Sequence, residues 1–207
     1  MLDNVPSYIT EEDKQRISEV VSILPESGIF LELGPYWGKS TTYWADEFRK
    51  QNKKYQIHTC DIFVCTPNKV VNFKTFGKEY HNLIHPFMTG SMNHHETFKI
   101  LIADYPEITA HVYDLYKNIP SDIGLDSITC FYNDAKPNLT DGVRKCFYDF
   151  YSIIEDGGVY CGRDYADYFP HIVDEVDSIS KEMNFKINLP PSGQSSLYYF
   201  LKNESNP

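Results

Sequence analysis

Gly28-Ile29-Phe30-Leu31-Glu32-Leu33-Gly34-Pro35-Tyr36-Trp37-Gly38-Lys39-Ser40-Thr41-Thr42 decides how this chain is read. An apolar run ends in an acid, two glycines follow four positions apart, and hydroxyl residues open an amphipathic stretch. That is the pattern of a strand, a tight turn and a helix N-terminus. Glycine at 34 and 38 lets the backbone bend sharply and approach a ligand closely. The N–H groups at the helix start add the positive end of its dipole. A turn of this kind, at the carboxyl end of a central strand, is where open α/β sheets bind nucleotide-like ligands. The spacing Gly-x-x-x-Gly is not the Gly-x-Gly-x-x-Gly of dinucleotide binding, nor does it end in the Gly-Lys-Ser/Thr of a phosphate-gripping P-loop. A glycine turn with no ligand is the plain alternative, and the rest of the chain counts against it.

Outward from that turn, apolar runs and amphipathic stretches alternate. Thr10 is placed to cap a helix over Glu11–Ile23 that Pro25 ends. Ile29–Leu33 reads as a strand, Thr41–Lys50 as a helix, and Tyr55–Cys60 as a strand ending at Asp61. Asn93–Asp104 is a helix, Ile108–Tyr113 a strand ending at Asp114, and Ser127–Tyr132 a strand ending at Asn133-Asp134. Leu139–Ile154 is a helix stopped by Asp156-Gly157-Gly158, and Val159–Gly162 is a strand leading to Arg163-Asp164-Tyr165. Pro170–Met183 is a helix, followed by strands Phe185–Leu189 and Ser196–Lys202. Alternation predicts a parallel sheet flanked by helices, and the closing pair predicts an antiparallel edge. No repeat or linker divides the chain, so residues 1–207 read as a single domain, with a helical N-terminal segment over 1–27. Ile62–Met92 is too long for an ordinary strand-to-helix loop, and such stretches are usually lids or binding loops.

At 207 residues the chain is long enough to bury a full core. Nineteen basic and 29 acidic residues leave a formal charge of −10, which disfavours nucleic acid and anionic membrane surfaces as partners. Apolar runs fall far short of a membrane span, and no basic segment followed by an apolar one opens the chain, so secretion is not expected. Five cysteines (Cys60, Cys65, Cys130, Cys146 and Cys161) at irregular spacing suit a reducing cytoplasm better than a disulfide framework.

Glu32, Asp61, Asp114, Asn133-Asp134 and Asp164 each close a strand, so a parallel sheet would line them along one edge. Asp61 stands at the tip of the second strand, where a carboxylate can accept both hydroxyls of a ribose. With these residues in view, the chain resembles class I S-adenosylmethionine-dependent methyltransferases. Glu32 to Ser40 resembles their first motif and Asp61 their ribose-binding acid. Leu125-Asp126-Ser127-Ile128-Thr129-Cys130-Phe131-Tyr132-Asn133-Asp134 resembles the fourth-strand motif, and Glu155 to Tyr165 the Gly-Gly segment before the fifth strand. The resemblance spans roughly residues 20–202, nearest to the small O-methyltransferases of the catechol, caffeoyl-CoA and sugar-modifying kind. It implies a Rossmann-like three-layer sandwich whose mostly parallel seven-stranded sheet has an antiparallel last strand.

The resemblance also implies roles. Glu32, Gly34, Tyr36, Gly38, Ser40, Asp61, Asp114 and Asn133 would hold S-adenosyl-L-methionine, with Gly34 and Gly38 along the methionine part and Asp114 facing the adenine. Lys136 and Asp164 would be the catalytic pair, Lys136 as a base if desolvation lowers its pKa. The subgroup's divalent site has acids where this chain has Asn133 and Tyr165, so Asp134 and Asp164 are left as the pair for a Mg²⁺ ion, which prefers carboxylate oxygens. His58 and His111 lie within strands and read as core residues. His81, His85, His94 and His95 lie in or beside the long insert, as acceptor-site bases, as zinc ligands, though without a cysteine partner at finger spacing, or simply as part of a polar loop. The expected reaction is O-methylation of a small hydroxylated acceptor, by a protein for which a homodimer stays open. The alternatives are a non-catalytic cofactor- or partner-binding domain on the same fold and, against the glycine spacing, a nucleotide-dependent oxidoreductase.

Overall fold

A computed structural model describes residues 9–63, 94–135, 142–190 and 196–202. Helix α1 (Glu11–Ile23) begins at Thr10, whose hydroxyl accepts the Asp13 N–H while the Asp13 carboxylate accepts the Thr10 N–H. That reciprocal capping box satisfies two of the donors a helix start leaves open. It ends as expected before Pro25, since the residue ahead of a proline is pushed out of the helical region. Strand β1 (Ser27–Leu33), α2 (Lys39–Lys50), β2 (Lys54–Asp61), α3 (His94–Leu101), β3 (Ile108–Val112), β4 (Ile128–Asn133), α4 (Gly142–Tyr151), β5 (Ile154–Gly162), α5 (Pro170–Met183) and β6 (Tyr198–Leu201) follow in order.

The strands form one sheet in the order β3-β2-β1-β4-β5-β6, parallel except for β6 against β5. The chain runs from β1 outward through β2 and β3, then returns to the far side of β1 as β4. That reversal places a topological switch point between β1 and β4. Alternating strand residues feed two cores. Phe30, Ile57, Cys130 and Val159 face Val20 of α1, Trp44 and Phe48 of α2 and Phe98 of α3. Leu31, Leu33, Phe131 and Tyr160 face Phe147 and Phe150 of α4 and Val176 of α5. Helices thus cover both faces, as the expected sandwich requires. Cys60, Cys130, Cys146 and Cys161 are buried free thiols, acting as small hydrophobes.

Two expectations change. The described sheet has six strands, and the segment expected as a further strand over Phe185–Leu189 is reduced to a single antiparallel bridge between Asn188 and Tyr199. Asp156-Gly157-Gly158 does not stop a helix. Helix α4 ends at Tyr151, and the glycines lie inside β5, where the register jumps from Ile128↔Ile154 to Cys130↔Val159. The extra residues bulge out, and the ladder resumes as Gly157 N–H donates to the Lys202 carbonyl and Lys202 N–H to that of Gly158.

Candidate functional site

Strand register brings the tips together. Leu33 pairs with Cys60 and with Asn133, Asp61 with Val112, and Asn133 with Gly162. Backbone bonds continue one residue past each strand: Gly34 N–H donates to Cys60, Asp134 N–H to Leu33, Tyr113 N–H to Asp61 and Arg163 N–H to Asn133. Gly34, Asp61, Asp114, Asp134 and Asp164 therefore lie along one edge of the sheet.

The turn after β1 is backbone of unusual handedness. Gly34, Tyr36 and Gly38 have φ of 83°, 51° and 87°, and Gly38 N–H closes onto the Pro35 carbonyl at 2.7 Å. A Cβ on Gly34 would lie 2.6 Å from the backbone of Ala135, so the turn rests directly on the chain leaving β4. A Cβ on Gly38 would meet the Phe98 ring at 2.7 Å. Both glycines are required by close approach of the protein itself. Gly38 is also the N-cap of α2 and no side chain caps that helix start.

The side-chain oxygens of Glu32 and Ser40 are turned to each other. Glu32 is fully buried, and its carboxylate accepts hydrogen bonds from the hydroxyls of Ser40 (2.5 Å), Thr41 (2.5 Å) and Thr59 (3.1 Å). This cluster ties the tip of β1 to the first turn of α2 and to β2, which sets the shape of the glycine turn. Burial pushes the Glu32 carboxyl up to about 7 against the three hydroxyl donors. A carboxyl raised on folding binds its proton more tightly in the native state, so its contribution to stability declines as pH rises from about 4.5 to about 7. Glu32→Gln removes this titration. Urea unfolding should show the variant gaining ground on the parent between pH 5 and pH 8, by about 3 kcal/mol. A pH-independent difference would contradict the assignment.

Asp61 accepts the Phe63 N–H at 2.9 Å, and the chain then turns left-handed at Phe63 (φ 47°). The Phe63 ring packs on His95 (4.5 Å between centroids) and Phe98 (5.1 Å), leaving Ile62 exposed beside Asp61. Asp114 caps the loop after β3: its carboxylate pairs with Lys117 at 2.8 Å and accepts the Tyr116 N–H, which hold it below the usual carboxylate range. Asn133 is buried at the end of β4. Its amide donates to the Tyr160 hydroxyl at 3.4 Å, and its carbonyl oxygen has no hydrogen-bond partner among the described residues.

Beyond β4 and β5 lies an ionic cluster that the sequence did not reveal. The Arg163 guanidinium, 11% exposed, reaches Asp13 of α1 at 3.4 Å and Asp134 at 3.7 Å. Burial pushes the Asp134 carboxyl up to about 7, with Asp164 and Glu32 adding to the rise and Arg163 opposing it. Asp164 is left-handed (φ 67°), its N–H donating to the Ser196 hydroxyl. Tyr165 turns away to donate its hydroxyl to Asp177 of α5. A Mg²⁺ ion on Asp134 and Asp164 does not fit this arrangement. Among the described residues, no three His, Cys, Asp or Glu side chains stand where they could hold a metal ion. Arg163 thus stands against Asp134, one of the two acids expected to hold a divalent ion.

Lys136, His81, His85 and all of 64–93 lie outside the described residues. His58 and His111 are half-buried on the outer part of the sheet rather than in the core, with Nδ1 of one 2.9 Å from Nε2 of the other. Sequence reasoning also missed Ile62 and Asp13. For Asp13 a signal was present, since the third position after a threonine cap is where a capping-box acid belongs. No helix among the described residues is long and apolar enough to cross a membrane.

No family model matches the chain, and no curated protein matches it in sequence. Solved structures do match in shape. The O-methyltransferase NovP superposes with a TM-score of 0.68 at 14% identity, over 96% of this chain and 82% of that one. An rRNA methylase from Streptococcus thermophilus gives 0.59 at 10% identity, over 96% and 100%. Aeropyrum pernix fibrillarin, with natively bound S-adenosyl-L-methionine, gives 0.55 at 14% identity, over 91% and 74%. At these identities the likeness is one of architecture, and the chain carries the Rossmann-like methyltransferase fold.

Proposed function

We propose that this protein is an S-adenosylmethionine-dependent methyltransferase acting on a hydroxyl of a small acceptor. The observation that carries the reading is the set of strand tips that meet at the switch point, and we read the space above them as the binding crevice. A left-handed glycine turn at β1 lies between the carboxylate of Asp61 on one side and the tips of β4 and β5 on the other. Open α/β sheets bind nucleosides there. Asp61 would accept the ribose hydroxyls, Ile62 and Asp114 would flank the adenine, and the turn from Gly34 to Gly38 would follow the methionine part. Tyr36 in that turn, and the Asn133 carbonyl, which has no hydrogen-bond partner among the described residues, would be further groups for the ligand. Glu32 and Ser40 would act from behind, by fixing the turn.

When bound, S-adenosylmethionine would supply a sulfonium methyl whose carbon an acceptor oxygen can attack in line, with S-adenosylhomocysteine as the leaving group. The chain's share is to bind, align and take a proton. The acceptor side of the crevice is bounded by Asp134, Arg163 and Asp164, with α1 held against it through Asp13. Lys136, next after Ala135 in sequence, is our candidate for the proton acceptor, and Asp164 our candidate for the second catalytic group. The formal charge of −10 favours a small molecule over RNA as acceptor.

Incubation with S-adenosylmethionine and a panel of phenols and sugars should release S-adenosylhomocysteine with at least one acceptor. A second reading, a cofactor-binding domain without turnover, is favoured by Asn133 and Arg163 standing among the expected acids. Binding with no product across the panel would support that reading over ours.

A further inference from the structure

The acidic end of the crevice already holds a cation, and that cation is part of the chain. Arg163 follows β5, and its two terminal nitrogens diverge, Nη2 toward Asp13 Oδ2 at 3.4 Å and Nη1 toward Asp134 Oδ2 at 3.7 Å. The two carboxylates are 3% and 13% exposed, and the arginine side chain 11%. The Tyr132 hydroxyl donates to the same Asp134 oxygen at 3.3 Å, and Asp164 follows Arg163 directly. Oxygen-seeking divalent ions need several hard carboxylate or carbonyl oxygens turned toward one point. Here the oxygen of Asp134 that would serve faces a planar guanidinium that cannot lose its proton.

We propose that Arg163 is the resident cation at the acceptor end of the crevice, standing in for a divalent ion. The methyl transfer is then metal-independent, and neutralising Arg163 turns the surrounding acids into a divalent-cation site. The acceptor end and the methyl transfer rest on the function proposed above; the placement of charge is testable without turnover.

Mn²⁺ alone is the probe, titrated into the full chain and followed by the paramagnetic resonance signal of the free ion. The parent protein should show no saturable binding into the millimolar range. Arg163→Gln should bind Mn²⁺ at least about tenfold more tightly than the parent. Arg163→Lys, which keeps the charge, should behave like the parent, and adding Asp134→Asn to Arg163→Gln should abolish the gained site. Saturable binding by the parent that Asp134→Asn removes would overturn the proposal, as would Arg163→Gln binding no more tightly than the parent. Should Arg163→Gln not fold, the parent and its Asp134→Asn variant decide alone: binding lost with Asp134 overturns it, and absence of saturable binding supports it. A chelator should leave the turnover rate unchanged. Failure to find any turnover counts against the methyltransferase reading, while the Mn²⁺ titrations still judge the charge assignment.

Discussion

Replacing Gly34 with alanine should destabilise the protein by about 4 kcal/mol, near the upper end for a single added methyl group. Two effects combine. The residue sits at φ 83°, a conformation that disfavours any side chain. Its new Cβ would also lie 2.6 Å from both the N and the Cα of Ala135 and 2.7 Å from the Asp134 carbonyl, all of them backbone atoms that cannot rotate aside. Relief would require parting the β1 turn from the end of β4, which opens the switch point. Gly157 provides the control, since its φ is 80° but nothing lies within 4 Å of an added Cβ. Gly157→Ala should therefore cost only about 1 kcal/mol. At about 2–4 °C per kcal/mol for a chain of this size, the two midpoints should differ by roughly 10 °C in thermal unfolding. Equal losses would mean that the turn is strained but not pressed against β4.

Asp61→Ala should weaken S-adenosylhomocysteine binding about 100-fold, near 2.7 kcal/mol. A carboxylate accepting two ribose hydroxyls forms charge-assisted bonds, and removing it leaves both hydroxyls without partners in a partly desolvated site. The same carboxylate accepts the Phe63 N–H, so a smaller loss of stability, about 1 kcal/mol, should accompany the change. Asp61→Asn keeps an acceptor for that N–H and should restore the stability while recovering little of the affinity. Unchanged affinity in both variants would move the ribose elsewhere along the edge.

The elements that sequence revealed best are those with chemical start and stop signals. Helix α1 runs over the expected residues because Thr10 caps one end and Pro25 closes the other, and α5 because Pro170 occupies its first turn and Asn184 takes the left-handed cap. The acids at the strand tips were legible because a parallel sheet makes strand ends coincide whatever the loops do. Gly157-Gly158 misled because glycines signal a loop locally, and only the partner strand β6, more than forty residues on, shows them carrying ladder bonds. Ser40 was expected at the cofactor because Glu32 to Ser40 resembles a cofactor-binding motif, while its hydroxyl donates to Glu32. Which way the first turn of α2 faces depends on Glu32, eight residues back. The Arg163–Asp13 contact joins positions 150 apart, and no pattern within either segment announces it. What remained hidden was thus the pairing of charges across elements, where tertiary contact alone decides.

A calorimetric titration of the folded chain with S-adenosylhomocysteine asks whether the edge formed by the tips of β1, β2 and β4 is a nucleoside site at all. The predicted result is one site per chain with a dissociation constant of about 1–100 µM, lost in Asp61→Ala. No heat, together with an unmoved thermal midpoint at millimolar ligand, would contradict it.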